Sequence, residues 1–187
     1  MNVINAQSEE IFSIGGQVKI ASEKGKYKPT SACLRIRSIK KATCTKEGGN
    51  FRIDGVKCGK YQLEVVGLGL IPFDTIISVS GNIMELLLVA NCKINYTTAI
   101  NDIKIRKPRL HTIGGVAPAN INDKAMFESK YGVKYNDLGD IPPPLECIEQ
   151  YNFKIFEYLD SRFGKFWRDE VNDRVIGIKK WKEEKTT

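Results

Sequence analysis

The sequence predicts an α+β chain, with an N-terminal antiparallel β-sandwich of about seven strands followed by a small α-helical C-terminal region. Three observations predict it. From residue 12 to about residue 90, apolar and polar residues alternate in short runs separated by glycine-containing turns. Residues 93 to 122 lose any period and carry Pro108, Gly114-Gly115 and Pro118. From Leu145 onward Ile148, Tyr151, Ile155, Leu159 and Phe163 recur every three or four positions, the stripe of a helix with one buried face. The expected divisions are 12–92 for the sandwich, 93–122 for a connector and 123–187 for a helical extension.

Taken in order, Met1 to Glu10 is polar, and a first strand is expected over Phe12–Ile20 around Gly15-Gly16. Ala21 to Thr30 is lysine-rich with Gly25 and Pro29 and reads as a loop. Cys33 to Ile39 alternates so that Arg35 and Arg37 share one face of a second strand. Phe51-Arg52-Ile53 and Tyr61-Gln62-Leu63-Glu64-Val65 alternate on either side of Gly55 and Gly59, which predicts a hairpin whose two strands share a core. Pro72 breaks the next apolar run, Thr75–Val79 follows, Ser80-Gly81-Asn82 is a turn, and Ile83–Val89 closes the set. In the connector one short strand is expected at Asp102–Arg106. Asn122 or Asp123 can cap a helix over Lys124–Tyr131 that stops at Gly132. Pro144 can open the long helix, which ends at Gly164, and a further helix is expected from Lys165 to about Asn172. A tail with Val175, Ile176, Ile178 and Trp181 follows.

A chain of 187 residues that is 42% hydrophobic can bury a core, which argues against disorder. The net charge of +7 invites a polyanion, but the surplus is spread over both halves and no zinc-finger or helix-turn-helix pattern occurs. Nucleic acid is therefore not expected as a partner. No apolar run reaches the roughly 18 to 20 residues of a membrane span. Val3-Ile4-Asn5-Ala6-Gln7 resembles the tail of a cleaved signal peptide, a hint of export. Cys33, Cys44, Cys58, Cys92 and Cys147 show no C-x-x-C pair, so buried free thiols are the plain reading. If the protein is exported, one or two disulfides can form in the β-rich part, and the odd count leaves one thiol over.

Two resemblances add to this. Gly16-Gln17-Val18, Gly49-Asn50-Phe51-Arg52-Ile53 and Val56-Lys57-Cys58-Gly59-Lys60-Tyr61-Gln62-Leu63-Glu64-Val65 resemble the carboxypeptidase regulatory-like, transthyretin-like domains over residues 12 to 90. The resemblance implies a prealbumin-like sandwich that serves as a structural or interaction module without catalytic residues. Phe127 to Tyr135 and Tyr151 to Gly177 are similar to the C-terminal segment of a group of uncharacterised Bacteroidetes proteins, which implies lineage and export and no activity.

Catalytic chemistry has few candidates. His111 is the single histidine, so a Ser-His-Asp or Cys-His site would have to use it, and Cys147 is the only cysteine in its half of the chain. Asp137, Asp140, Glu146 and Glu149 gather near the prolines but match no calcium loop, and acids in a first helical turn answer the helix dipole. Gly114-Gly115 lacks the strand, helix and lysine of a phosphate loop. No cofactor or metal is expected. The aromatic rear segment is more suggestive: Tyr158, Arg162, Phe166, Trp167 and Arg168 combine rings with arginines, the composition of a protein-binding anchor. The sequence therefore predicts a non-enzymatic interaction module at the periplasm or cell surface, with a cytoplasmic location left open and another protein as partner. An immunity-type protein that blocks a toxin, a carbohydrate or cell-envelope binder and, behind these, a hydrolase are the alternatives.

Overall fold

A computed structural model describes residues 10–21, 26–114 and 121–184. The signal-like motif at Val3–Gln7, residues 22–25 of the lysine-rich loop, and Gly115 and Pro118 lie outside the described residues. The chain is mostly strands, with a C-terminal helical region, and divides into two compact units at Asn91/Cys92.

The first unit holds eight strands among the described residues, β1 (Ile11–Ala21), β2 (Tyr27–Pro29), β3 (Cys33–Ile36), β4 (Lys41–Cys44), β5 (Asn50–Lys57), β6 (Gly59–Val66), β7 (Phe73–Val79) and β8 (Ile83–Ala90). They form two four-stranded sheets. In the first, the long strand β1 is central: one edge pairs antiparallel with β5 and then β2, and the other pairs parallel with β8. The second runs β4-β3-β6-β7 and is antiparallel throughout. Each sheet buries alternate residues, Ile14, Val18 and Ile20 with Phe51 and Ile53 in one, Leu34, Ile36, Leu63, Val65 and Ile77 in the other.

The parallel β1/β8 pair departs from the all-antiparallel expectation, and it depends on a glycine. A Cβ on Gly16 would lie 1.9 Å from the Leu86 carbonyl oxygen, so only a residue without a side chain lets β8 approach here. The expected hairpin is also corrected. β5 belongs to the first sheet and β6 to the second, so the link between them crosses from sheet to sheet. Only Cys58 separates the two strands, whereas the tightest common hairpin needs two loop residues. Gly55, at φ 71°, sits where the β1/β5 register slips, and Phe51, Ile53 and Val56 all still point inward across it. The second expected strand stops at Ile36, and Arg37–Ile39 form a single 3₁₀ turn. Arg35 and Arg37 do share a face, and both pair with Glu64 on β6.

The second unit contains α1 (Tyr96–Lys104), β9 (Arg109–Thr112), α2 (Ile121–Tyr131), β10 (Lys134–Asp137), α3 (Leu145–Phe163), α4 (Trp167–Glu170) and α5 (Ile178–Glu184). Residues 93–114 are thus not a plain connector. Asn95 accepts from Thr98 N at 3.0 Å while Thr98 Oγ1 accepts from Asn95 N at 2.8 Å, a reciprocal cap that starts α1 where no helix was expected. The strand expected at Asp102–Arg106 is instead the end of α1 and its exit, and the strand forms at Arg109–Thr112. β9 and β10 pair in parallel, and the connection carrying α2 supplies the crossover such a pair requires. The helix predicted from Lys124 starts earlier, at Ile121, and the side chain of Asn122 lies outside the described residues.

The α3 stripe is as spaced, with Ile148, Tyr151, Ile155, Phe156 and Leu159 buried, although Leu145 at its start is exposed. Gly164, at φ 68°, ends it. The helix expected over Lys165–Asn172 is limited to the four residues of α4, and the apolar tail winds into α5. The unit packs around Leu110, Phe127, Tyr151, Phe156, Trp167 and Trp181.

Both units carry a disulfide. Cys33 and Cys44 are directly opposite in the β3/β4 register and are bonded, and Cys92 is bonded to Cys147 of α3. The second bond joins Cys92, from the β-rich set in which pairing was expected, to Cys147 outside it. Cys58 is the free, exposed thiol.

Candidate functional site

The proposed catalytic groups do not assemble. Cys147 is bonded to Cys92, so it has no thiolate to offer His111. His111 is 3% exposed in the core of the second unit. Its Nδ1 lies 3.0 Å from the Asn136 amide nitrogen, its ring meets Tyr151 edge-on at 4.4 Å, and its Nε2 is buried without a hydrogen-bond partner. Burial and then the nearby Arg109 charge push its pKa down to about 4, with Asp102 acting weakly the other way. The backbone of His111 is held by Asn152, whose Oδ1 accepts from His111 N and whose Nδ2 donates to the carbonyls of His111 and Ile176, each at 2.9 Å. Tyr151 OH donates to Asp102 at 2.6 Å, and burial raises the Tyr151 pKa.

The acidic group near the prolines also stays apart. Asp137 accepts from Gly139 N in its own turn, Glu149 stands 3.8 Å from Lys180, and no cluster suited to a metal ion occurs among the described residues.

The aromatic anchor splits. Trp167 is fully buried and Arg168 is 7% exposed, so neither can be presented to a partner. The reason is Asp160 of α3, which accepts from Trp167 Nε1 at 3.0 Å, from Arg168 Nε at 3.0 Å and Nη2 at 2.5 Å, and from Trp181 Nε1 at 3.2 Å. These residues tie α4 and α5 to α3. Tyr158, Arg162 and Phe166 remain at the surface: Arg162 Nη1 donates to Tyr158 OH at 2.6 Å and the guanidinium lies over the Phe163 ring at 5.4 Å. Phe166 is 80% exposed.

A surface that sequence reasoning missed lies on the first unit. β8 is hydrogen-bonded to β1 alone among the described residues, so its other edge of eight residues, I-M-E-L-L-L-V-A, is unpaired. Met84, Leu87 and Val89 are exposed along it, and Glu85 is its one charge. Beside it the outer face of the sheet holds a cleft of about 450 Å³ over Gly15 and Gly16, bounded by Gln17, Asn50, Arg52 and Met84. Gln17 Nε2 donates to Asn50 Oδ1 at 2.9 Å, and Arg52, Asp54 and Ser13 form a polar chain at the rim. In the sequence this strand carries apolar residues at both odd and even positions, a pattern that a strand covered on both faces shares, so the exposure was not legible there.

No protein-family profile matches the chain, and no curated protein is similar to it at a significant level. Among solved structures, a chain of a type II cohesin–X-dockerin complex from Acetivibrio cellulolyticus matches at 13% identity over 66% of this chain and 88% of that chain, with a TM-score of 0.39. A protein of Pseudomonas aeruginosa provisionally named as carbohydrate binding matches at 14% identity over 44% of this chain and 90% of that chain, with a TM-score of 0.35. One of Bacteroides uniformis, named in the same way, matches at 14% over 43% and 41%, also at 0.35. Similarities this low carry no argument.

The two disulfides do carry one. Such bonds form and persist in oxidising surroundings, and they point to an extracytoplasmic location. No helix among the described residues is long and apolar enough to cross a membrane.

Proposed function

We propose that this chain is a non-enzymatic binding module of the periplasm or cell surface, that its first unit is a prealbumin-like sandwich, and that an extended segment of another protein adds to the edge of β8. The observation that carries the reading is the open apolar edge of that strand. Soluble proteins blunt such edges with charge, proline, bulges or short length, because unpaired N–H and C=O groups beside apolar side chains template further strands. Among the other edges, β4 has only four residues and begins with Lys41, β2 has three, and β5 carries Arg52, Asp54, Lys57 and the Gly55 bulge, while β7, with Asp74 and an exposed Ile76, is the one other edge of comparable length and apolarity among the described residues. On β8 an incoming strand would gain main-chain hydrogen bonds, and Met84, Leu87 and Val89 would discriminate its side chains.

The test is a photo-crosslinking residue at Met84 in protein produced by the source cells, with crosslinked products identified by mass spectrometry. A discrete partner should be captured by the otherwise unaltered chain and lost when Leu87→Lys and Val89→Lys are introduced together. Absence of a discrete product, or a product indifferent to both lysines, defeats the proposal.

A further inference from the structure

The segment K-I-R-K-P-R, Lys104 to Arg109, joins α1 to β9. α1 closes with Arg106 in the left-handed region at φ 58°, its N–H on the Ile103 carbonyl, while Lys107 N bonds the Asp102 carbonyl. This sharp exit brings Arg106, Lys107 and Arg109 together. α2 ends alongside, and Lys134 at the start of β10 donates its backbone N–H to the Pro108 carbonyl at 3.0 Å. The result is a cleft of about 340 Å³ within the second unit, lined by these four cations and one acid, Glu128.

Glu128 is already engaged. Its carboxylate accepts from Lys134 Nζ and from Tyr135 N, each at 2.9 Å. Arg106, Lys107 and Arg109 have no acidic partner among the described residues, whereas Arg35 and Arg37 pair with Glu64 and Lys130 pairs with Glu170. Helix dipoles explain only part of this. Cations after the C-terminus of α1 are favoured by its partial negative charge, which accounts for Lys104 and Arg106. Arg109 and Lys134, however, stand at the starts of strands, and they are direct partners in the β9/β10 register. The Lys134 charge is offset there by Glu128, which leaves Arg109 beside it without an acid. Arg106, Lys107 and Arg109 thus converge on one cleft without an acidic partner among the described residues.

We propose that this cleft binds a multiply charged oxyanion, a phosphate or diphosphate group borne either by a soluble molecule or by a lipid headgroup. Two guanidinium forks suit bidentate contact with phosphate oxygens, and Lys107 and Lys134 add point charges. The volume falls at the lower end of the range of small-molecule sites. The proposal concerns the second unit and is independent of strand addition at β8.

The probe is inorganic pyrophosphate, titrated calorimetrically into the full chain at low ionic strength. Saturable binding of one equivalent is expected, weakened at least about tenfold by Arg106→Gln with Arg109→Gln, since charge-assisted hydrogen bonds to the anion are lost. Lys107→Gln with Lys134→Gln serves as a second variant should the first misfold. Arg35→Gln with Arg37→Gln removes the same charge from the first unit and should leave binding unchanged. Co-sedimentation with phosphatidylcholine vesicles containing phosphatidic acid separates the sources. Vesicle binding that pyrophosphate displaces assigns the anion to a headgroup, and pyrophosphate binding without vesicle binding assigns it to a soluble molecule. No saturable heat with pyrophosphate, or equal weakening by the control pair, overturns the proposal.

Discussion

The buried, neutral His111 should make the second unit progressively less stable as pH falls below neutrality. The imidazole is the only one in the chain, is 3% exposed, and has its pKa moved from 6.5 to about 4. The groups facing it are Asn136 from β10, Tyr151 from α3, Asp102 from α1 and Arg109 from its own strand. Burial and Arg109 outweigh Asp102, so the folded protein holds the neutral ring. Above pH 6.5 neither folded nor unfolded chain binds the proton, and stability is full. Between 6.5 and about 4 only the unfolded chain takes it up, and stability falls by about 1.4 kcal/mol per pH unit. Below about 4 both states are protonated and the loss levels off at about 3 kcal/mol. Urea denaturation at pH 7 and pH 5 should therefore show a loss of about 2 kcal/mol in the wild type that is missing from His111→Leu, whatever that variant's absolute stability. Comparing the two slopes cancels the carboxylates that titrate in the same window. The imidazole C2–H resonance gives a direct check, because with one histidine it needs no assignment. A midpoint near 6.5, or equal pH slopes in the two proteins, would refute the reasoning.

Asp160→Asn should cost about 3 kcal/mol, because it leaves the Arg168 charge buried against a neutral amide. Both tryptophans of the chain bond Asp160, so the emission spectrum of the folded variant should shift as well. Gly16→Ala should cost about 3 kcal/mol, the upper end for an overpacked site, since its new methyl meets the Leu86 backbone and not a movable side chain. Hydrogen exchange should show the loss concentrated in β8. Replacing Cys92 and Cys147 by serine should cost about 4 kcal/mol, against about 3 for Cys33 and Cys44, because their sequence separations are 55 and 11 residues. Denaturation midpoints of the two double variants in the same buffer check the order.

Period-two alternation revealed which side chains face inward, and Phe51, Ile53, Leu63 and Val65 are all buried. It could not reveal which strand pairs with which. Gly55 and Gly59 imitate a hairpin, yet one is a bulge and the other opens a strand in the opposite sheet, because inward alternation is the same whether two strands are neighbours or face each other across a core. The helical stripe of α3 was legible for the same reason that α1 was not. α3 repeats its apolar contacts over 19 residues, whereas the nine residues of α1 bury only Ala99 fully and are announced by the Asn95–Thr98 cap. The surface anchor was misread at Trp167 and Arg168 because a tryptophan beside an arginine looks alike whether it meets solvent or an internal carboxylate, and Asp160 lies seven residues back, on another helix.

Among the described residues, features of three kinds break a rule that stability alone would enforce. β8 leaves an apolar edge unpaired, Arg106, Lys107 and Arg109 converge without an acidic partner, and His111 keeps a buried nitrogen unsatisfied. Departures of this kind tend to mark function when a ligand could relieve them. The first two are open to solvent, and each would be relieved by a specific occupant, a strand or an anion. The third is not, since its ring is packed under Tyr151 with 3% of the residue exposed. The same criterion that favours the β8 edge and the basic cleft as proposed sites therefore leaves the single histidine as a contributor to the pH dependence of folding.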